Sequence, residues 1–189
     1  SMPPSPGIWR RAARTQNTSR IDRNMLKHLI VSMALASVAT VAYAQQSLGD
    51  MVAQEGLDWI AGTWQGEDEN GGQVTLVYGW ELDKNMVTSH VKTSWMESKG
   101  VTMLCQKTGE IRYVAADNRG SSVTGAWELA DGNPTLKVEY NSADGETNKG
   151  AYVHKKIDSN TLEVSVYMGQ SAEYLSGTPA TVLKFKRKQ

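Results

Sequence analysis

His90 and His154 are the side chains best placed for acid–base or metal chemistry in the 189-residue chain. Each lies on an alternating stretch with polar partners two residues away: Thr88 and Lys92 for His90, Tyr152 and Lys156 for His154. Turned inward, either imidazole would serve as an axial ligand to haem or a metal. Turned outward, it is solvated or merely hydrogen-bonded. No Cys, His or carboxylate cluster has metal-ligand spacing, so the outward or hydrogen-bonded placement is expected. Nucleophilic catalysis has less support, because there is no Gly-x-Ser-x-Gly elbow and no recognisable Cys–His arrangement. Asp117 and Asp131 fall at hairpin ends, where carboxylates cap turns. The run Glu67-Asp68-Glu69-Asn70-Gly71-Gly72 concentrates acidic oxygens without EF-hand spacing and reads as a solvated turn. Cys105 is the single cysteine, which excludes an intrachain disulfide. Its alternating neighbours predict a small buried hydrophobe.

What the residue types favour instead is binding. Trp80, Trp95, Trp127, Tyr78, Tyr113, Tyr140, Tyr152 and Tyr167 fall on alternating segments, with Met86, Met96, Met103 and Met168 near them. Flat aromatic rings and adaptable thioethers suit an apolar pocket. Alternation nominates Trp80, His90, Met103, Tyr113, Trp127 and Tyr152 as ligand contacts, with His90, Tyr113 and Tyr152 orienting the ligand.

These side chains need a scaffold. Leu48, Met51, Val52, Glu55 and Trp59 recur at helical spacing and predict a short amphipathic helix over 47–60, ended by Gly62. The period then changes to two. Strands are expected at 63–68, 73–80, 86–96, 101–106, 110–117, 121–129, 135–140, 150–157, 161–168 and 181–188. In the third, Val87, Val91 and Trp95 share one face. Short polar turns such as Asp83-Lys84-Asn85, Asn118-Arg119-Gly120 and Ala143-Asp144-Gly145 leave no room for crossover helices. Consecutive strands must therefore pair antiparallel, and a sheet of this many strands closes or curls to remove its edges. The long connection from Gly169 to Ala180 is expected to form a flap over one end.

The first 44 residues read differently from the rest. Met25-Leu26-Lys27-His28, the apolar run Leu29–Ala42 and the small-x-small end Ala42-Tyr43-Ala44 have the three parts of a signal peptide. The run is shorter than the roughly 20 residues of a membrane-spanning helix. Cleavage is expected after Ala44, giving an exported, periplasmic or secreted protein with no stable membrane span. Residues 1–24 are Pro- and Arg-bearing, poor in apolar residues, and expected to be disordered upstream sequence. The expected organisation is thus 1–24 upstream segment, 25–44 signal and 45–189 folded domain. Residues 1–44 hold six Lys/Arg and one Asp; residues 45–189 hold 14 Lys/Arg and 19 Asp/Glu. An acidic folded domain argues against nucleic-acid binding.

The helix leading into Ala61-Gly62-Thr63-Trp64-Gln65-Gly66, the meander, and the basic last strand Val182-Leu183-Lys184-Phe185-Lys186-Arg187-Lys188 together resemble the calycin superfamily. That superfamily holds the lipocalins and fatty-acid-binding proteins, and the chain looks most similar to uncharacterised secreted bacterial calycin-like proteins. The resemblance implies an all-β, up-and-down antiparallel barrel of eight to ten strands, with the helix at its floor. It also implies that Gly62 and Trp64 are structural, with Arg187, or else Lys186, over the Trp64 ring. The first strand is similar to that of nitrobindin-type haem barrels as well, but no proximal-His motif follows near the C-terminus.

The expectation is an exported protein holding a small hydrophobic or amphipathic molecule, with no catalysis. The alternatives are a haem or metal barrel through His90 or His154, an isomerase or cyclase with an ionisable interior, and a surface or assembly module with a filled barrel. The sequence names no cofactor and no oligomeric state.

Overall fold

The computed structural model describes residues 46–169 and 177–188. The expected upstream segment and signal, and residues 170–176 of the expected flap, lie outside the described residues. Among those described, no helix is long and apolar enough to cross a membrane.

A helix, α1 (Leu48–Gln54), opens the fold. Ser47 starts it through a capping box: its hydroxyl accepts from the Asp50 N–H at 3.1 Å, and the Asp50 carboxylate accepts from the Ser47 N–H at 3.1 Å. The helix is shorter than its periodicity predicts. Gly56 adopts a left-handed φ of 67°, and the chain then makes a single tight turn over Asp58–Ile60. Leu48 is fully buried. The Gly49 N–H donates to the Lys84 carbonyl at 2.8 Å, so the helix lies against the Lys84 turn. A β-carbon at Gly49 would stand 2.6 Å from the Lys84 Cβ, and glycine is what permits this approach.

Ten strands follow: β1 (Gly62–Glu67), β2 (Gln73–Glu81), β3 (Met86–Lys92), β4 (Glu97–Leu104), β5 (Ile111–Asp117), β6 (Ser122–Ala130), β7 (Asn133–Asn141), β8 (Thr147–Asp158), β9 (Thr161–Gly169) and β10 (Thr181–Arg187). All neighbours are antiparallel, and β10 pairs back onto β1 to close the barrel. The fold is therefore the all-β, up-and-down antiparallel barrel with an N-terminal helix that the alternation and the short turns require.

Strand register fixes which side chains face inward. Tyr78 opposes Ser89, Thr102 opposes Tyr113, Trp127 opposes Leu136, and His154 opposes Val164. Two apolar clusters fill part of the interior. One joins Trp64, Val74, Leu76, Tyr78, Leu162, Val164 and Phe185; the other joins Tyr113, Ala115, Val123, Leu136 and Val138. Burying each such aliphatic or aromatic side chain stabilises the fold by about 1.5–3 kcal/mol.

Four local readings change. The third strand stops at Lys92, because the Thr93 hydroxyl accepts from the N–H groups of Trp95 and Met96 and folds 93–96 into a turn. Trp95 is consequently exposed in that turn and does not share a strand face with Val91. The fourth strand begins at Glu97, ahead of the expected 101, and the eighth begins at Thr147. Cys105 is half-buried in the turn after β4, where its carbonyl accepts from Thr108 and Gly109. The Thr108 hydrogen bonds hold its thiol below the usual range.

Candidate functional site

The barrel floor is held by one tryptophan and one arginine. Trp64 is almost fully buried, and its indole N–H donates to the Ile60 carbonyl at 2.9 Å. The Arg187 guanidinium lies 4.1 Å over the Trp64 ring. It also donates to the carbonyls of Ala61, at 2.8 Å, and Trp59. Of the two candidate cations, Arg187 therefore takes the place over the ring. Lys186 instead donates to the Thr161 hydroxyl at 2.6 Å. Gly62 has φ 134°, and a β-carbon there would run into Arg187 Nη1, so both backbone and space demand glycine.

Above the floor, a polar–aromatic layer crosses the interior. The Nδ1 atom of His154 faces the Tyr152 carbonyl at 3.1 Å, and a carbonyl only accepts, so Nδ1 carries the proton. Nε2 then accepts from the Tyr78 hydroxyl at 2.9 Å. Trp127 packs beside both rings, 6.1 Å from Tyr78 and 5.1 Å from His154 between centroids. Its indole N–H donates to the Thr102 hydroxyl at 3.1 Å. Burial drives the His154 pKa down to about 4, despite carbonyls from Tyr152 and Pro134 that favour its charged form. Burial pushes the Tyr78 phenol far above its usual range. The pair is thus a neutral imidazole and a protonated phenol at pH 7. The His154 lone pair can take a proton from a ligand only if the Tyr78 bond breaks.

A cavity lies on either side of this layer. The lower one, about 250 Å³, sits between α1 and the barrel end; Met51, Val52, Ile60, Val87, Ile111 and Leu129 make most of its wall. The upper one, about 570 Å³, runs toward the β1–β2, β3–β4, β5–β6 and β7–β8 turns. Its walls are mainly Leu76, Val91, Val138, Val164, Leu183 and Phe185. This volume falls within the roughly 300–1,000 Å³ of small-molecule sites.

A few polar groups punctuate the upper cavity. The Tyr113 hydroxyl and Ser89 Oγ are 3.2 Å apart. Burial raises the pKa of Tyr113 and of Tyr152, so both stay protonated donors at neutral pH. Among the described residues none bonds the Tyr152 hydroxyl, and the buried Thr181 Oγ1 has no partner. Nearer the turns, Asp117 Oδ1 accepts from the N–H groups of Arg119 and Ser121, each at 2.9 Å. The Tyr140 hydroxyl donates to Asp117 Oδ2 at 2.8 Å, lies 2.6 Å from Ser121 Oγ, and accepts from Arg119 at 2.9 Å. Burial by itself would raise the Asp117 pKa; these hydrogen bonds outweigh it and bring it down to about 2.

The nominated ligand contacts separate into two groups. Tyr113 and Tyr152 line the upper cavity, and Trp127 lines the lower one from the dividing layer. Trp80 has the inward parity of Tyr78 but sits two pairs further toward the floor, opposite Val87, and lines neither cavity. His90 and Met103 are on the outer face. His90 pairs with Val77 and Lys99, and its Nε2 lies 2.8 Å from Glu97. Met103 pairs with Met86 and Arg112 and is 45% exposed. Neither contributes to a cavity wall. His154, for which a solvated placement was open, is instead buried and hydrogen-bonded inside. Among the described residues no group of three or more His, Cys, Asp or Glu stands close enough to hold a metal ion. Ser89, Asp117, Tyr140 and Thr181 were not nominated as ligand contacts; Tyr140 had a signal as one of the strand aromatics, and Ser89 had one in lying between Val87 and Val91 on their shared face.

No family model matches the chain, and no curated protein matches it at a significant level.

Proposed function

We propose that this protein is an exported carrier that holds a small hydrophobic or amphipathic molecule in the upper cavity. The carrying observation is the cavity of about 570 Å³, with aliphatic walls and with Tyr152 and Thr181 hydroxyls that are unengaged among the described residues. Binding would proceed by burial of apolar surface, worth about 25 cal/mol per Å² removed from water. The phenols of Tyr113 and Tyr152 would orient the ligand by donating to an acceptor on it. Export rests on the Met25–Ala44 segment of the sequence.

The test is native mass spectrometry of gently purified protein, followed by titration with an uncharged fluorescent naphthylamine dye. A discrete adduct, or saturable dye binding that Val138→Trp abolishes without unfolding the barrel, supports the carrier. No adduct, together with dye binding that is indifferent to Val138→Trp, would overturn it.

A further inference from the structure

The interior of a closed barrel presents a ligand with a definite electrostatic environment, and here its sign is one-sided. Among the described residues lining the upper cavity there is no Lys or Arg. Its ionisable members other than the phenols are His154, Asp68, Glu69 and Asp117. His154 is committed to Tyr78 and neutral. Asp117 is offset by its donors and by Arg119, whose Nη2 lies 3.6 Å from Oδ2. That guanidinium is already engaged, since it also lies 4.9 Å over the Trp95 ring. Asp68 and Glu69 are left to set the sign at the turn end. Asp68 spends one oxygen on the N–H groups of Asn70 and Gly72, at 2.9 and 2.7 Å. Deeper in, the polar groups are hydroxyls and the neutral His154 ring, none of which supplies positive charge.

A carboxylate head drawn into this space would lose hydration with no cation to pair with, and would approach Asp68 and Glu69 at the turns. An ammonium head at the same turns would be attracted, and an uncharged head would be indifferent. Resting on the carrier reading, we propose that the upper cavity discriminates among amphiphiles by head-group charge: it takes ammonium and uncharged heads at the Asp68–Glu69 end and rejects carboxylates.

A matched ten-carbon series tests this. Decylamine, decanol and decanoate, each below its micellar concentration, compete at pH 7 with the uncharged naphthylamine dye. The expected order of affinity is amine, then alcohol, then carboxylate, with at least about tenfold between the ends. Glu69→Gln, at an exposed turn position, should narrow the amine-to-carboxylate ratio, and so should added salt. Decanoate binding as tightly as decylamine, or a ratio that Glu69→Gln leaves unchanged, overturns the charge selection while the carrier reading stands. Displacement by none of the three overturns both.

Discussion

The Tyr78 hydroxyl donates to Nε2 of His154 across 2.9 Å, joining two inward residues that are 76 positions apart in the chain. The bond lies in the layer that divides the barrel interior into its two cavities. Burial in that layer keeps the imidazole neutral, and that gives the fold a pH dependence with a definite sign.

His154 should destabilise the fold as acid is added. Its folded-state pKa of about 4 lies below an unfolded value of about 6.5. The unfolded chain therefore binds the extra proton first. Stability from the neutral buried ring is full above about pH 6.5 and is lost as pH falls toward 4, by at most about 3 kcal/mol. Thermal melting between pH 7 and 4 should show this slope, and His154→Gln should flatten it. An unchanged slope would mean that the ring already carries its proton in the folded state.

Asp117 acts in a lower window. Its pKa of about 2 is below the unfolded value of about 3.9, so its contribution is present above pH 4 and is lost as pH falls toward 2. Asp117→Asn should flatten the acid limb of the melting curve below pH 4 and leave the limb between 7 and 4 intact. Superimposable curves below pH 4 would show that the Tyr140 and Ser121 bonds do not favour the ionised carboxyl.

Arg187→Ala should cost about 2–4 kcal/mol in urea unfolding, combining the loss of the ring contact with that of charged hydrogen bonds to two carbonyls. Arg187→Lys should recover only part, because an ammonium lacks the planar fork that reaches both carbonyls. Gly62→Ala should be destabilising in the native background through its left-handed φ and its collision with Arg187. A neutral Arg187→Ala would refute the floor as a stabilising unit.

Gly100 makes room for a ring. A β-carbon there would lie 2.6 Å from the Tyr113 hydroxyl oxygen and 2.8 Å from the Ala115 Cβ. Gly100→Ala should cost about 1–3 kcal/mol through overpacking and move Tyr113 into the upper cavity. Combined with Tyr113→Leu, it should cost less than the sum of the two single changes. Strict additivity would show that the two residues do not compete for space.

Much of this scaffold was legible in the sequence because period-two alternation and short polar turns have few structural solutions. Ten strands, their antiparallel order and closure follow from those signals. Strand four was harder to read. Its inward positions are Ser98, Gly100 and Thr102, while Val101 and Met103 face out, the reverse of the usual hydrophobic pattern. Gly100 supplies no apolar signal because its space belongs to Tyr113, a residue on another strand. Thr93 cut strand three short through a side-chain bond that alternation does not register. His154 escaped for a related reason: its flanking Lys156 suggested solvent, while the partner that makes burial tolerable, Tyr78, lies far away in sequence. Asp117 and Tyr140 likewise become a unit only once β5 and β7 are brought to the same end of the barrel.

The seam between β1 and β10 rests on three paired positions, Trp64 with Arg187, Gln65 with Lys186 and Gly66 with Phe185. Its partners are separated by nearly the whole folded length, so every other hairpin can form locally before this contact exists. Ring closure then carries the largest loop entropy of any pairing in the molecule and belongs late in folding. Until it forms, β1 and β10 are bare edges able to recruit a neighbouring chain. A chain stopped short of Thr181 would keep its nine other strands and lose the ring. Protection of both edges after synthesis therefore hangs on the single strand Thr181–Arg187.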